Sequence, residues 1–323
     1  MKAFTRETTG VEVVEELSDR VKGRTFIITG ASESGLGAET AVALAHGHPE
    51  HLILLARSQA RVNSVISQIK EISPNTKVDF VPVSLDDFDS VRSAAATINS
   101  SIEKLHGLIN NAGVMAPDNY AANKNGIEMQ FATNHLGHFL LTKLLFPKIA
   151  AAAPGSRIIN LTSLGHKISP VRFDDYNFSG GKTYNPWEGY GQSKSANVLF
   201  SHSLGNKLQS RGIQSFSVHP GAIFNTNLAR DISDVHAALA AIDPVAIKNT
   251  GRHFPLAADT PKPIDTGITT TLVAALDTRI EAQSGSYMAD AKIDTAYEYA
   301  TDDANAERLW ELSEQLVGEK FDV

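Results

Sequence analysis

The sequence predicts a single α/β domain: a doubly wound, mostly parallel sheet of seven strands with helices on both faces. Three observations predict it. Short apolar runs of strand length alternate with helix-length stretches along most of the chain. The first strand run ends in a glycine cluster that opens a helix. Later strand ends carry polar residues, where a sheet of this kind lines its ligand crevice.

The elements follow in order. Residues 1–22 form an N-terminal appendage, in which Val11, Val14, Leu17 and Val21 recur at near-helical spacing between Glu12, Glu15, Glu16 and Asp19. That pattern predicts a short amphipathic helix docked on the main body. Strand runs are expected at 25–29, 52–56, 77–83, 108–110, 157–161 and 214–218. Helices are expected at 35–45, 62–72, 88–102, 127–153 (with a break near Pro147) and 187–209. Right-handed crossovers between such strands give a Rossmann-like sheet. Residues 23–323 are therefore one catalytic domain, with insertions near 164–189 and 227–263. The second insertion holds Pro244, Pro255, Pro261 and Pro263 and breaks the βα rhythm. A long excursion after a strand lies on the ligand side, so it is expected to act as a lid or substrate-binding segment.

Composition narrows the function classes. A chain of 323 residues with 42% hydrophobic content builds a core without staples. It has no cysteine, which excludes a disulfide framework, a thiolate metal site and a cysteine nucleophile. The formal charge of -7, from 29 basic and 36 acidic residues, lacks the basic footprint that nucleic acid requires. Met1 to Gly10 lacks the apolar stretch of a secretory signal, and no apolar run is long enough to span a bilayer. A cytoplasmic protein without a membrane span is the expectation. His46, His48 and His51 cluster without carboxylate or thiolate partners, so no metal site is expected there; His135 and His138 are given no metal role either.

The glycine cluster reads Gly30-Ala31-Ser32-Glu33-Ser34-Gly35-Leu36-Gly37. Glycines let backbone approach a pyrophosphate, and the following helix offers free N–H groups and a positive dipole end. The placement between first strand and helix points to a dinucleotide. About twenty residues on, the second strand ends in Ala56-Arg57-Ser58 with no carboxylate. An acidic residue there would hold the adenine ribose hydroxyls of NAD, whereas Arg57 suits a 2′-phosphate. NADP(H) is therefore favoured over NAD(H), with Glu33 in the loop as the opposing signal.

Tyr190-Gly191-Gln192-Ser193-Lys194 places Tyr and Lys at i and i+4 on one helix face. A nearby ammonium favours the phenolate, so the pair is expected to lower the Tyr190 pKa and act as an acid/base unit. Upstream, the strand at 157–161 runs into Thr162 and Ser163, and another ends at Asn110-Asn111-Ala112-Gly113. Ser163 is placed to donate a hydrogen bond to a carbonyl oxygen as charge develops.

With these motifs in this order, the sequence resembles the short-chain dehydrogenase/reductase family, and most its retinol-dehydrogenase-like branch, from about Lys22 to about Lys292. The Thr29-Gly30 to Gly37 loop resembles the family's cofactor motif, Asn110 to Gly113 its NNAG segment, Tyr190 and Lys194 its YxxxK pair, and Pro220-Gly221 its PG turn. Ser163 and Asn134 fall where the family keeps a catalytic Ser and Asn. The resemblance implies that Tyr190 donates the proton in reduction and accepts it in oxidation. Lys194 would lower the Tyr190 pKa and hold the nicotinamide ribose. Ser163 would orient the carbonyl, and Asn134 would hold a water linking Lys194 to solvent. Gly30, Ser32, Gly35, Leu36, Gly37, Asn111, Ala112 and Gly113 would line the cofactor, with Ile223 and Thr226 at the nicotinamide amide.

Three departures stand out. The glycine loop is one residue longer than the usual spacing between its first two glycines. The family usually has Asp at the end of the third strand near adenine; here Ser84 precedes Leu85, leaving backbone contacts. In Gly221-Ala222-Ile223-Phe224-Asn225-Thr226, Thr stands one place later than usual, so Asn225 and Thr226 are both candidates for the amide.

The insertion also carries Phe173, Phe178, Tyr184 and Trp187. They line an apolar substrate pocket or pack the insertion against the sheet, and both readings stand. The expected activity is hydride transfer between NADP(H) and a carbonyl or alcohol of a lipophilic small molecule. The alternatives are a catalytically silent NADP(H)-binding regulatory protein, or an epimerase or dehydratase on the same scaffold. A homodimer is an expectation by analogy with relatives.

Overall fold

The computed structural model describes residues 2–223 and 226–323. Eight strands form one sheet: β1 (Thr25–Thr29), β2 (His51–Ala56), β3 (Lys77–Pro82), β4 (Gly107–Asn110), β5 (Arg157–Leu161), β6 (Gln214–Val218), β7 (Tyr287–Ala289) and β8 (Lys292–Asp294). Their order is β3-β2-β1-β4-β5-β6-β7-β8. All neighbours pair in parallel except β7 with β8. The chain winds outward in both directions from β1 and β4, which leaves a crevice at their carboxyl ends.

The seven strands expected become eight. β7 and β8 are three-residue strands joined through Asp290 and Ala291, whose φ values of 46° and 62° make a tight hairpin turn. Neither strand is long enough to show an apolar run, and Asp-Ala is not a usual turn signal.

The helices are α1 (Gly10–Glu16), α2 (Leu36–Ala45), α3 (Asn63–Ile72), α4 (Phe88–Ser101), α5 (Met129–Phe131), α6 (Gly137–Ala151), α7 (Pro186–Leu208), α8 (Val235–Ala240), α9 (Ile242–Thr250), α10 (Ile264–Gly267), α11 (Thr269–Leu276) and α12 (Asp303–Val317). The β1 side chains divide between two cores. Ile27 packs with Phe131, Phe139 and Trp310 on one face; Phe26 and Ile28 pack with Leu44, Leu272 and Met288 on the other. Helix α1 belongs to the second core through Val13 and Val14, followed by Leu17 and Val21. Burying side chains of this size stabilises by roughly 1.5–3 kcal/mol each. A capping box between Thr9 and Glu12 starts that helix.

The break expected at Pro147 is not there, since α6 runs through it. The irregularity is a π-turn, Ala132–Leu136, between α5 and α6. Its extra residue per turn rotates Asn134 inward, and Asn134 is fully buried. The excursion after β6 contains α8 and α9. Pro244, which the sequence pattern made a breaker, sits in the first turn of α9, where its missing N–H has no helical partner to lose. No helix among the described residues is long and apolar enough to cross a membrane.

Candidate active site

A cleft of about 650 Å³ opens at the carboxyl ends of β1, β4, β5 and β6. It reaches from Arg57 at one end, past Tyr190, to helices α8 and α9 at the other.

The glycine loop forms its floor. Gly30 has φ +72°, and a Cβ there would lie 2.9 Å from the Ala112 Cα. The backbone N–H groups of Gly30 and Ala31 both donate to the Leu55 carbonyl. The extra residue of the loop is absorbed by Ser34, which takes a left-handed φ of 62°. Glu33 also lines the cleft: its N–H donates to Arg61 O at 2.8 Å, and its carboxylate accepts from the Ser64 hydroxyl at 3.2 Å. Gly35 caps α2 without a side chain, so the first-turn N–H groups of that ten-residue helix have no side-chain acceptor. A Cβ on Gly37 would stand 2.6 Å from Gly30 O and 2.5 Å from Asn111 Nδ2. These are the features a pyrophosphate needs: bare backbone and free donors at a helix start.

At the end of the cleft beyond β2, Arg57 is exposed and Arg61 half-buried, and both line the cleft. Among the described residues neither guanidinium forms an ion pair. Ser84 donates its hydroxyl to Asp86 Oδ1 at 2.7 Å, and Asp86 also lines the cleft. Leu85 is buried and its carbonyl lies against Gly137.

A network of buried polar groups joins β1, β4 and the π-turn. His138 Nδ1 donates to the Asn134 carbonyl at 2.9 Å, so Nε2 accepts from the Thr29 hydroxyl at 2.8 Å. The Thr29 oxygen then accepts from the N–H groups of Asn111 (2.9 Å) and Ala112 (3.0 Å). Burial pushes the His138 imidazole down to about 4, which keeps it neutral and preserves this tautomer. Asn111 Nδ2 donates to Thr29 O at 2.7 Å. Histidine at i+4 from Asn134 was the available sequence signal, but its partner on β1 lies over a hundred residues away.

Asn134 clamps the turn after β4. Its Oδ1 accepts from Val114 N–H at 2.8 Å; its Nδ2 donates to Val114 O and to Ser193 Oγ, both at 2.9 Å. Gly113 lies between Asn134 and Lys194, with room for a Cβ only 3.2 Å from Asn134 Oδ1 and 3.6 Å from Lys194 Nζ.

Tyr190 and Lys194 share one face of α7, with Nζ 5.6 Å from the Tyr190 ring centroid. Tyr190 faces Ser163, and Gly165 leaves space for its ring. Lys194 Nζ donates to Leu161 O at 3.2 Å, and Ser163 Oγ accepts from Gly165 N–H at 3.0 Å. Burial opposes the expected lowering of the Tyr190 pKa in this cleft. Burial pushes the Tyr190 phenol up to about 12, with Ser163 pulling the other way, and pushes Lys194 down to about 8. Desolvation penalises both charged forms, and the ammonium is aimed at a carbonyl rather than the phenol oxygen.

Ile223 and Thr226 line the cleft after β6; the Thr226 hydroxyl accepts from Leu228 N–H at 3.4 Å. Asn225, the other candidate, lies outside the described residues. The substrate end is walled by Ile168, Trp187, Leu239, Ile242 and Phe254. Of the four insertion aromatics only Trp187 reaches the cleft, meeting Tyr190 edge-to-face at 6.0 Å and donating to Ala238 O at 2.7 Å. Phe178 is buried under Arg172, Phe173 lies under Arg308, and the Tyr184 hydroxyl donates to Pro117 O. The pocket reading thus holds for one aromatic and the packing reading for three. The remaining wall comes from the segment after β6, through Leu239 of α8 and Ile242 of α9. Buried Glu188 pairs with Arg172 (2.9 Å) and ties α9 to α7 through Lys248 (2.7 Å).

A switch-point cleft with bare glycine backbone at one end and a buried Tyr–Lys pair beside a serine in its middle belongs to a nicotinamide-dependent oxidoreductase. The short chain dehydrogenase family model matches residues 24–236, and the chain belongs to that family, in its retinol-dehydrogenase-like branch. It is 35% identical over 299 residues to retinol dehydrogenase 12 of Mus musculus, covering 93% of this chain and 88% of that protein. It is 37% identical over 305 residues to the chloroplastic short-chain dehydrogenase TIC 32 B of Brassica napus, covering 92% and 89%. A crystal structure of an uncharacterized protein from Mycobacterium paratuberculosis superposes with a TM-score of 0.65 at 30% identity, covering 94% of this chain and 96% of that one.

Proposed function

We propose that the protein reduces the carbonyl of a lipophilic small molecule with NADPH, and catalyses the reverse oxidation when the cofactor ratio favours it. The observation that carries this reading is the apolar lid wall, Trp187, Leu239, Ile242 and Phe254, facing the Tyr190–Ser163 pair. A cleft of this kind orients its substrate by two hydroxyls and selects the rest by burial. The similarity to a retinol dehydrogenase, named for a lipophilic alcohol, supports the same substrate class.

Bound nicotinamide would supply or take up the hydride. Tyr190, whose phenol burial holds protonated at neutral pH, gives its proton to the carbonyl oxygen. Ser163 donates a hydrogen bond to the same oxygen. Lys194 carries positive charge below about pH 8, favours the phenolate that Tyr190 becomes, and is placed to hold the nicotinamide ribose. Asn134, whose side chain clamps Val114 and Ser193 beside Lys194, would hold the water that links Lys194 to solvent. Gly30, Ser32, Gly35, Leu36 and Gly37 would hold the pyrophosphate, and Asn111, Ala112 and Gly113 would border the adjoining ribose. Ser84 and Leu85 would border the adenine through backbone, and Ile223 and Thr226 the nicotinamide amide.

Arg57 is the residue we assign to the 2′-phosphate, with Arg61 beside it. Glu33, which the sequence set against this assignment, is turned toward Ser64. Fluorescence titration at fixed salt is expected to show NADPH binding at least tenfold tighter than NADH, about 1.4 kcal/mol. Arg57→Ala should remove most of that difference and leave NADH affinity within about twofold. Equal or tighter NADH binding by the wild type would overturn the NADP(H) assignment.

A further inference from the structure

The lid ends in a four-residue strap, Asp259 to Lys262, that crosses the turn after β6. Asp259 Oδ1 accepts the Ala222 N–H at 3.1 Å, and Lys262 N–H donates back to Ala222 O at 3.1 Å. Between them Pro261 forms an isolated parallel bridge with Ala222, beyond the end of β6. The Lys262 stem lies flat on Gly221, which has φ +92° and no room for a Cβ. Its ammonium, on a side chain only 4% exposed, pairs with Asp290 at 3.0 Å.

The same Asp259 reaches a second element. Its Oδ2 lies 3.1 Å from His219 Nε2. His219 Nδ1 accepts backbone N–H groups from Leu164 (3.2 Å) and Gly221 (3.4 Å), so it carries no proton. Nε2 is therefore the protonated nitrogen and donates to Asp259. One imidazole thus pins the backbone next to Ser163 and the start of the Gly221–Ile223 turn, and one lid carboxylate orients that imidazole. With Asp259 withdrawn, His219 loses the acceptor that holds its Nε2 side in place, and Ala222 N–H loses its acceptor.

We propose that Asp259 is a positioning residue, which ties lid docking to the placement of Ser163 and of the turn that borders the nicotinamide. Substrate burial and completion of the reacting geometry then occur together, because the segment that supplies the lid also ends in the strap. The proposal rests on the oxidoreductase reading above, and its test separates the two.

Asp259→Asn is isosteric and keeps one acceptor; Asp259→Ala removes both. Three readouts are compared on the full chain: kcat with a lipophilic aldehyde, affinity for NADPH and for 2′,5′-ADP, and amide hydrogen exchange of peptides covering 160–166 and 219–223. We expect kcat to fall about tenfold in the Asn variant and further in the Ala variant. NADPH should bind several-fold more weakly while 2′,5′-ADP, which reports only the adenine end, binds as in wild type. Exchange should quicken in both peptides and not in one covering β1. Unchanged kcat and exchange in both variants would overturn the proposal, as would equal weakening of NADPH and 2′,5′-ADP, which marks general loosening. Should the Ala variant not fold, the Asn variant decides alone. Absence of NADPH binding by the wild type would instead contradict the underlying oxidoreductase reading.

Discussion

Tyr190→Phe is expected to lower kcat by roughly 10²–10⁴-fold, the range for loss of a positioned general acid. Nucleotide affinity should stay within about twofold of wild type. The separation follows from the geometry. The ring, 5% exposed, keeps its contacts with Trp187 and Gly165 when only the hydroxyl is removed. Lys194 keeps its bond to Leu161 O, and the glycine loop lies at the other end of the cleft. Steady-state rates and a fluorescence titration on the same preparation check both halves. The wild-type pH profile carries a linked expectation. Tyr190, held up to about 12, stays protonated well above neutral pH, whereas Lys194, pushed down to about 8, is protonated at neutrality but loses its proton just above it. The reductive kcat/KM should therefore be flat near neutrality and fall as pH rises through about 8, where the ammonium is lost. A variant retaining full activity would remove Tyr190 as the proton donor.

Gly37→Ala should have the second large effect, through packing rather than chemistry. The added methyl would meet Gly30 O at 2.6 Å and Asn111 Nδ2 at 2.5 Å. Neither can retreat. Gly30 is held by its N–H bond to Leu55 O, and Asn111 Nδ2 by its bond to Thr29 O at 2.7 Å. The first turn of α2 must then shift away from β4, which displaces the free N–H groups from the phosphate position. Overpacking of this kind costs about 1–3 kcal/mol. Thermal unfolding should register that loss, and NADPH affinity of the folded variant should drop by more than tenfold, about 1.4 kcal/mol. Wild-type affinity in this variant would show that the glycine loop does not hold the pyrophosphate.

What the sequence made legible were features whose cause is local. Strands β1, β2, β4 and β5 are short buried runs, and β3 and β6 carry β-branched or aromatic residues at strand spacing, so all six positions could be read within a residue or two. The glycine loop, the Tyr190–Lys194 spacing and the strand ends at Asn110 and Ser163 carry their chemistry in adjacent residues. Features that depend on distant partners were not legible. Glu188 meets Lys248 across 60 residues, and His219 meets Asp259 across 40. In each case both residues resemble ordinary surface charges or loop polar groups until the lid folds over. The π-turn at Ala132–Leu136 leaves no mark on hydrophobic spacing, whereas Pro147 and Pro244 suggested breaks that their helices accommodate. The pKa reasoning failed for a related cause. Sequence gives the separation of Tyr190 and Lys194 along a helix but not the burial that dominates both.

The central claim is net hydride transfer to a carbonyl, and single-turnover reduction with 4-deuterated NADPH tests it most directly. Wild-type protein is mixed with a lipophilic aldehyde, and the product alcohol is analysed by mass spectrometry. The account predicts one deuterium on the carbinol carbon for each NADPH oxidised, and loss of that transfer in Tyr190→Phe. Bound NADPH with no deuterium in any product, or product formed with the cofactor returned unchanged, would contradict it and favour a silent binding protein or an epimerase-type reaction instead.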